Sequence, residues 1–307
     1  VNFETIHFTN QDLANGLEDT LFHTEMAIAN PNSMAKKTLS GLVRAQGHKV
    51  CLTGEGADEV FAGYPYFKLE TLWRMMREGG EPRKRANQLW KAFQKLEYRS
   101  KGLAWYSGVH WQKAPSNFGY PCFQQIRVNK TKNLHRTFLN HRELNLNDDH
   151  NPPDIFAKLY NPEWMSSLHP TNASKIIALQ QLSGYLIPNL GDRVEMANSL
   201  ECRTPFLDTK LMQFIQTIPP EYFIDIDELR EKHILHDAFK DLLPPIMKTV
   251  HKHPFLAPSW SRFSETEQGK ELFEEFLSPW ALRSSGIFNE RLIRVLKKAW
   301  KLTPPTS

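Results

Sequence analysis

Cysteine is scarce in this chain: three among 307 residues, at Cys51, Cys122 and Cys202. Three thiols cannot all pair, and their spacing matches no metal site, so a disulfide-stapled secreted scaffold is not indicated and a reducing, cytoplasmic setting is expected. Long apolar runs are absent too. Nothing approaches the ~20 residues of a membrane-spanning helix, and Val1 to Phe8 is neither basic nor continuously apolar, unlike a signal peptide. No repeat and no low-complexity tract interrupts the chain. Neither sign of charge dominates, with 38 Lys+Arg against 34 Asp+Glu. A net charge of +4 is too small to argue for nucleic acid. What remains is globular: 40% apolar and 23% charged residues, enough for one large domain or two.

The first seventy residues read as α/β. Val1 to Phe8 alternates like a short strand. Leu13, Leu17, Leu21 and Phe22 recur at helical spacing after Thr9 or Asn10, either of which can cap a helix. Pro31 ends that element, Ser33 opens a second helix, and Gly47 suits its C-terminal exit. Val50, Cys51, Leu52 and Thr53 form a short apolar run that suits a parallel strand covered on both faces. Beyond it the pattern turns helical. The segment from Leu69 to Lys101 is basic and breaks into two helices at Gly79, Gly80 and Pro82. Further helices are expected near 172–187, 205–217, 228–242 and 288–301, and Asn145 to Pro153 reads as a loop.

Three segments carry candidate chemistry. The first is Thr53-Gly54-Glu55-Gly56-Ala57-Asp58-Glu59, at the carboxyl end of the Cys51 strand, where open α/β sheets bind ligands. Small residues let backbone amides approach a phosphate, and Thr53 adds a hydroxyl. Glu55, Asp58 and Glu59 repel one another unless a cation or cationic ligand intervenes. The loop reads equally well as a solvated acidic turn. The second segment runs from Gly191 to Asp208. Its Asp192, Arg193, Glu201, Arg203 and Asp208 are candidates for one ion-pair network, and on chemistry alone an ordering role is the simpler account. The third is Leu229 to Phe239, where Lys232 and His236 share one face of the expected helix. A lysine there can meet phosphate as a point charge, although a surface lysine does nothing of the kind. The helices between Arg74 and Lys101 raise nucleic-acid binding as a competing reading. Trp73, Trp90, Phe93 and Tyr98 fit a core stripe better than a stacking platform, which favours a solvated basic face.

In order, these segments resemble the synthetase half of the glutamine-hydrolysing asparagine synthetases and of the related β-lactam synthetases. TGEGADEVFAGY at Thr53–Tyr64 is similar to S-G-E-G-A/S-D-E-hydrophobic-F-x-G-Y. DRVEMANSLECRTPFLD at Asp192–Asp208 is similar to D-R-x-x-M-A-x-S-x-E-x-R-x-P-F-L-D. EKHILHDAF at Glu231 and HKHPF at His251 resemble E-K-x-L-L-R-x-A-F and R-x-K-x-x-F. The resemblance spans almost the whole chain and is weakest over 80–160. It implies an α/β fold, part of the doubly wound parallel sheet of adenine-nucleotide-hydrolysing ATP pyrophosphatases, with a large, mainly helical C-terminal region. Residues 1–70 would form the α/β part and 71–307 the helical part.

The same resemblance implies ATP-dependent amide formation. Aspartate or another carboxylate is adenylated, through β-aspartyl-AMP in the asparagine branch, and ammonia from glutamine then attacks. ATP and Mg²⁺ are the implied cofactors. Thr53, Gly54, Glu55, Gly56, Asp58 and Glu59 would hold the nucleotide, with Asp58 at the metal and pyrophosphate. Glu55, Lys232 and Arg203 form the implied catalytic set: Glu55 at the amino-acid substrate or ammonia, Lys232 at the phosphates, and Arg203 ordering the site with Glu201. Two positions depart from the pattern, with His236 and Val250 standing where the family has Arg. The family's S-G-G-x-D-S loop and N-terminal glutaminase domain are not in these 307 residues. The expectation is therefore a C-terminal part that needs those segments in cis or trans and cannot adenylate alone, with its Cys51 strand short of neighbours and apolar surface exposed. The alternative is an incompetent or split chain that acts through a partner subunit. A homodimer is compatible with either, and membrane association with neither.

Overall fold

The computed structural model describes residues 3–99, 117–146, 150–248 and 255–302. Val250 and the segment 251–254 lie outside these residues, as does all of 102–116. The described fold is mostly helical. Thr9 opens the first helix, α1 (Asn10–Asn15), through a reciprocal capping box with Asp12, and Gly16 separates it from α2 (Leu17–Thr24). Residues 3–9 form no strand, contrary to the alternation read there: among the described residues no strand pairs with them. Pro31 precedes α3 (Asn32–Ala45), and Gly47 leaves it at φ +88°, a conformation glycine adopts without Cβ strain.

β1 (Val50–Leu52) follows, and the chain turns through the Glu55 loop into α4 (Ala57–Val60). Pro65 then starts α5 (Pro65–Glu78), which ends at Gly79 (φ +82°), and α6 (Gly80–Arg99) follows at once. This pair is the break read from Gly79, Gly80 and Pro82. The solvated basic face is formed: Arg77, Arg83, Lys84, Arg85, Lys91 and Lys95 are exposed. α5 is buried almost all round and carries Phe67, Leu69, Leu72 and Trp73 into the main apolar core, where they meet Val60, Phe61, Phe93 and Phe223. Two of these exposed basic side chains also bond within the protein. Arg83 Nε donates to the Met76 carbonyl at 2.8 Å, near the end of α5, and Arg85 Nε donates to Asp227 at 2.7 Å.

Farther on lie α7 (Phe123–Phe138), α8 (Pro152–Leu159), α9 (Pro162–Ser167) and α10 (Pro170–Gln181), the last three each with proline in the first turn, where a missing N–H costs nothing. α10 widens into a π-helix over Leu182–Asp192 that contains Pro188, a residue with no N–H for an α-helical ladder. α11 (Arg193–Met196) leads into β2 (Glu201–Arg203). The helix expected over 205–217 divides into a 3₁₀ turn at Pro205–Leu207 and α12 (Thr209–Ile215), because the Asp208 carboxylate caps the amides of Lys210 and Leu211. The helix expected over 228–242 also shortens. β3 (Ile224–Asp225) and β4 (Arg230–Glu231) form an antiparallel pair, and only α13 (His233–Ala238) is α-helical. The chain closes with α14 (Glu267–Phe276), α15 (Pro279–Ser285) and α16 (Glu290–Leu302).

β1 and β2 pair in parallel, with Val50 opposite Glu201, Cys51 opposite Cys202 and Leu52 opposite Arg203. Among the described residues this pair and the β3–β4 pair are the named sheets. A doubly wound sheet is therefore not seen, and β1 is not covered on both faces: Val50 is 47% and Leu52 73% exposed. The expected apolar exposure at this strand is present, since one partner strand satisfies one edge only. No described helix is long and apolar enough to cross a membrane.

Candidate functional site

The Glu55 loop begins where β1 ends. Thr53 N–H donates to the Arg203 carbonyl at 2.9 Å, extending the strand pairing by one residue. The Gly54 carbonyl then accepts from Ala57 N–H at 3.2 Å and closes a tight turn. Gly56 sits at φ +88°, and a Cβ there would lie 2.3 Å from Leu207 Cδ2. Glycine is required twice over, by conformation and by the packing of the second segment against the first. Phe61 and Phe206 strengthen this junction edge to face, with ring centroids 5.7 Å apart.

The third segment arrives on the same spot. Lys232 is a non-glycine residue at φ +53°, at the point where β4 turns into α13. Its Nζ lies 2.7 Å from Asp58 Oδ1, and both side chains keep a minor part of their surface in solvent. Gly63 lies beneath the pair. A Cβ at Gly63 would come within 2.2 Å of Asp58 Oδ1 and 2.3 Å of Lys232 Cε. All three segments thus converge at the carboxyl end of β1.

Glu55 is oriented from another side. Lys36, on α3, places Nζ 3.7 Å from Glu55 Oε1 and 3.1 Å from Glu195 Oε1. Its pKa is raised: burial works against the charge, but Glu195 first and then Glu55 outweigh it. Lys36 and Glu195 were not picked out from sequence as site residues, and only the packing of α3 against α11 reveals them. Glu195 sits inside the second segment, so that motif held a latent signal, whereas nothing in the local pattern marks Lys36.

Other residues of the expected set fall elsewhere. Glu59 is 2% exposed and turned inward, where Tyr64 Oη donates to its carboxylate at 2.5 Å. Burial raises its pKa, partly offset by the Tyr64 hydrogen bond. Arg203 is exposed on β2, with Nε 2.8 Å from Glu201. The five-residue ion network is not formed: Arg193 turns to Glu25 and the Thr24 carbonyl, and Asp208 caps α12. His236 lies in α13, and burial, then the nearby Arg230, lowers its pKa from the ordinary imidazole value.

The site residues fit a nucleotide phosphate. Among the described residues, the N–H groups of Gly54, Glu55 and Gly56 donate to no protein acceptor, and Thr53 Oγ1 is a buried hydroxyl without a partner. Open space lies over Gly54. Unpaired amides beside a small residue are the donor set a phosphate takes up. Among the described residues no group of three or more His, Cys, Asp or Glu could hold a metal by itself. A single carboxylate, Asp58, suits Mg²⁺ that completes its shell with phosphate oxygens and water.

A family model described as asparagine synthase matches residues 1–303, and the chain belongs to that family. Over 282 residues it is 27% identical to the amidase chyE of Penicillium rubens and 24% identical to the amidase chry2 of Gibberella zeae. Each alignment covers 84% of this chain and 39% of the relative. The chain therefore spans about two fifths of the length of these curated relatives. Asparagine synthetase B of Escherichia coli is 39% identical over 64 residues, 20% of this chain and 12% of that protein.

Proposed function

We propose that the chain carries the nucleotide- and carboxylate-activating site of an ATP-dependent amide-forming enzyme. The observation that carries this reading is the Asp58–Lys232 pair, which brings two distant motifs to the end of one strand beside unpaired loop amides. ATP with Mg²⁺ would supply the phosphoanhydride energy that makes a carboxylate an acyl donor. Thr53 and the amides of Gly54–Gly56 would bind phosphate or ribose, and Asp58 would share the metal. Lys232 would offset charge developing on the phosphates, the kind of fixed electrostatic support that favours a transition state over a ground state. Glu55, held by Lys36, would face the amino-acid substrate or accept a proton from the incoming amine. Arg203 would order the loop through its backbone contact to Thr53.

Asparagine formation from aspartate is one specific form of this reading, supported by the asparagine synthetase relatives. A different carboxylate is the second form. It is supported by the proteins named amidases, which align over 84% of this chain against 20% for the E. coli asparagine synthetase. A glutaminase unit and a further phosphate loop in cis or trans, and a cytoplasmic setting consistent with three free thiols, complete the proposal.

Carboxylate-dependent ATP–pyrophosphate exchange, measured on the full-length protein with aspartate and a panel of other carboxylates, is the test. Exchange that disappears in Asp58→Asn and Lys232→Met is the expected result. Exchange unaffected by both substitutions would overturn the assignment.

A further inference from the structure

Cys51 and Cys202 are register partners on β1 and β2. Neighbouring strands lie about 4.8 Å apart, which is within the ~4.4–6.8 Å between Cα atoms that a disulfide spans. Register partners in a parallel pair put their side chains on the same face. The two sulfurs are 2.6 Å apart, and both residues are half-buried free thiols. Glu195, which holds Lys36 at 3.1 Å, lies near Cys202. The third cysteine, Cys122, is fully buried in a separate apolar cluster with Phe118 and Met165.

We propose that Cys51 and Cys202 form a redox-modification site, in which a low-molecular-weight disulfide such as oxidised glutathione converts them into a cross-strand disulfide beneath the Glu55 loop. The thiolate of either cysteine bonds to one sulfur of the reagent and expels the other as a thiolate; the second cysteine then attacks the sulfur of the first, forms the intramolecular bond and expels the second reagent thiolate. The two cysteine protons end on the two released thiols, so one disulfide is reduced as one is formed. The inference does not depend on the proposed function.

The test is to equilibrate the purified chain with glutathione mixtures of rising oxidising strength, then to measure intact mass, free thiols and disulfide-linked peptides. The expected product has lost two hydrogens, links Cys51 to Cys202, retains a free Cys122 and reverts with dithiothreitol. It should melt roughly 5–10 °C higher than the reduced chain, because the cross-link restricts the unfolded state. Cys51→Ser and Cys202→Ser should abolish that shift. Persistent glutathione adducts on either cysteine, cross-linked dimers through them, or three unchanged thiols at the most oxidising mixture would overturn the proposal. The peptide map of the unsubstituted chain decides the matter even where a serine variant fails to fold.

Discussion

Lys232 Nζ lies 2.7 Å from Asp58 Oδ1, and Gly63 is the floor on which the two side chains rest. The contact joins the first candidate segment to the third. It also makes Gly63, within the same motif as Asp58, a determinant of the site.

Gly63→Ala tests that floor. Its Cβ would meet Asp58 Oδ1 at 2.2 Å and the Asp58 Cα at 2.9 Å, so backbone as well as side chain must move. A loss of about 1–3 kcal/mol in urea unfolding is expected, the cost of forcing extra volume into packed space. Nucleotide affinity should fall by about tenfold, equivalent to about 1.4 kcal/mol. Calorimetric titration of the purified variant measures it, and an unchanged affinity would separate Gly63 from the site.

Lys36→Met removes the cation between two carboxylates. Glu195, 4% exposed, is then left charged, buried and facing Glu55. A destabilisation of about 3 kcal/mol is expected, as when one member of a buried pair is deleted. Adding Glu195→Gln should recover most of it, and a double-mutant cycle of urea midpoints reads the coupling directly.

The buried pair Lys68–Glu231, 2.6 Å apart, makes a second such case. Lys68→Met should cost about 3–5 kcal/mol, because Glu231 keeps its charge in the core. The double substitution with Glu231→Met should return close to the original stability. Since Glu231 immediately precedes Lys232, the single variant should weaken nucleotide binding as well, and calorimetry on both chains distinguishes the two effects.

Glu70 sets a pH dependence. Burial pushes its carboxyl up to about 7, against hydrogen bonds from Ser174 and the Phe123 N–H that favour the anion. The folded pKa is above the unfolded value, so between pH ~4.5 and ~7 the folded state binds more protons, and stability falls as pH rises. The stabilisation is complete below the unfolded pKa and is lost through about pH 7, with a slope of at most about 1.4 kcal/mol per pH unit. Glu70→Gln should flatten this part of the urea-midpoint profile. A profile equally steep in the variant would assign the dependence to other groups.

Much of the site was legible because it depends on local chemistry. Gly54 and Gly56 mark a turn, Thr53 ends an apolar strand, and alternation along Glu201–Arg203 reads as extended backbone; the structure forms all of these. Gly79 and Gly80 likewise separate α5 from α6, both at positive φ. The strand at 3–8 failed for the converse reason: alternation is a property of the segment, but a strand needs a neighbour. The helix over 228–242 shortened because β3 claims the backbone of Arg230 and Glu231, and Lys232 turns at positive φ.

The sequence by itself determined the family motifs, their order and the break between α5 and α6, since turn chemistry and caps act over a few residues. Only the tertiary structure decided that Lys36 stands between Glu55 and Glu195, that Lys68 belongs to the core, that Glu59 faces inward and that Cys51 meets Cys202. Those outcomes follow from how α3, α5, α11, β1 and β2 pack, and an ion pair or thiol contact between distant residues leaves no mark on the spacing of either segment.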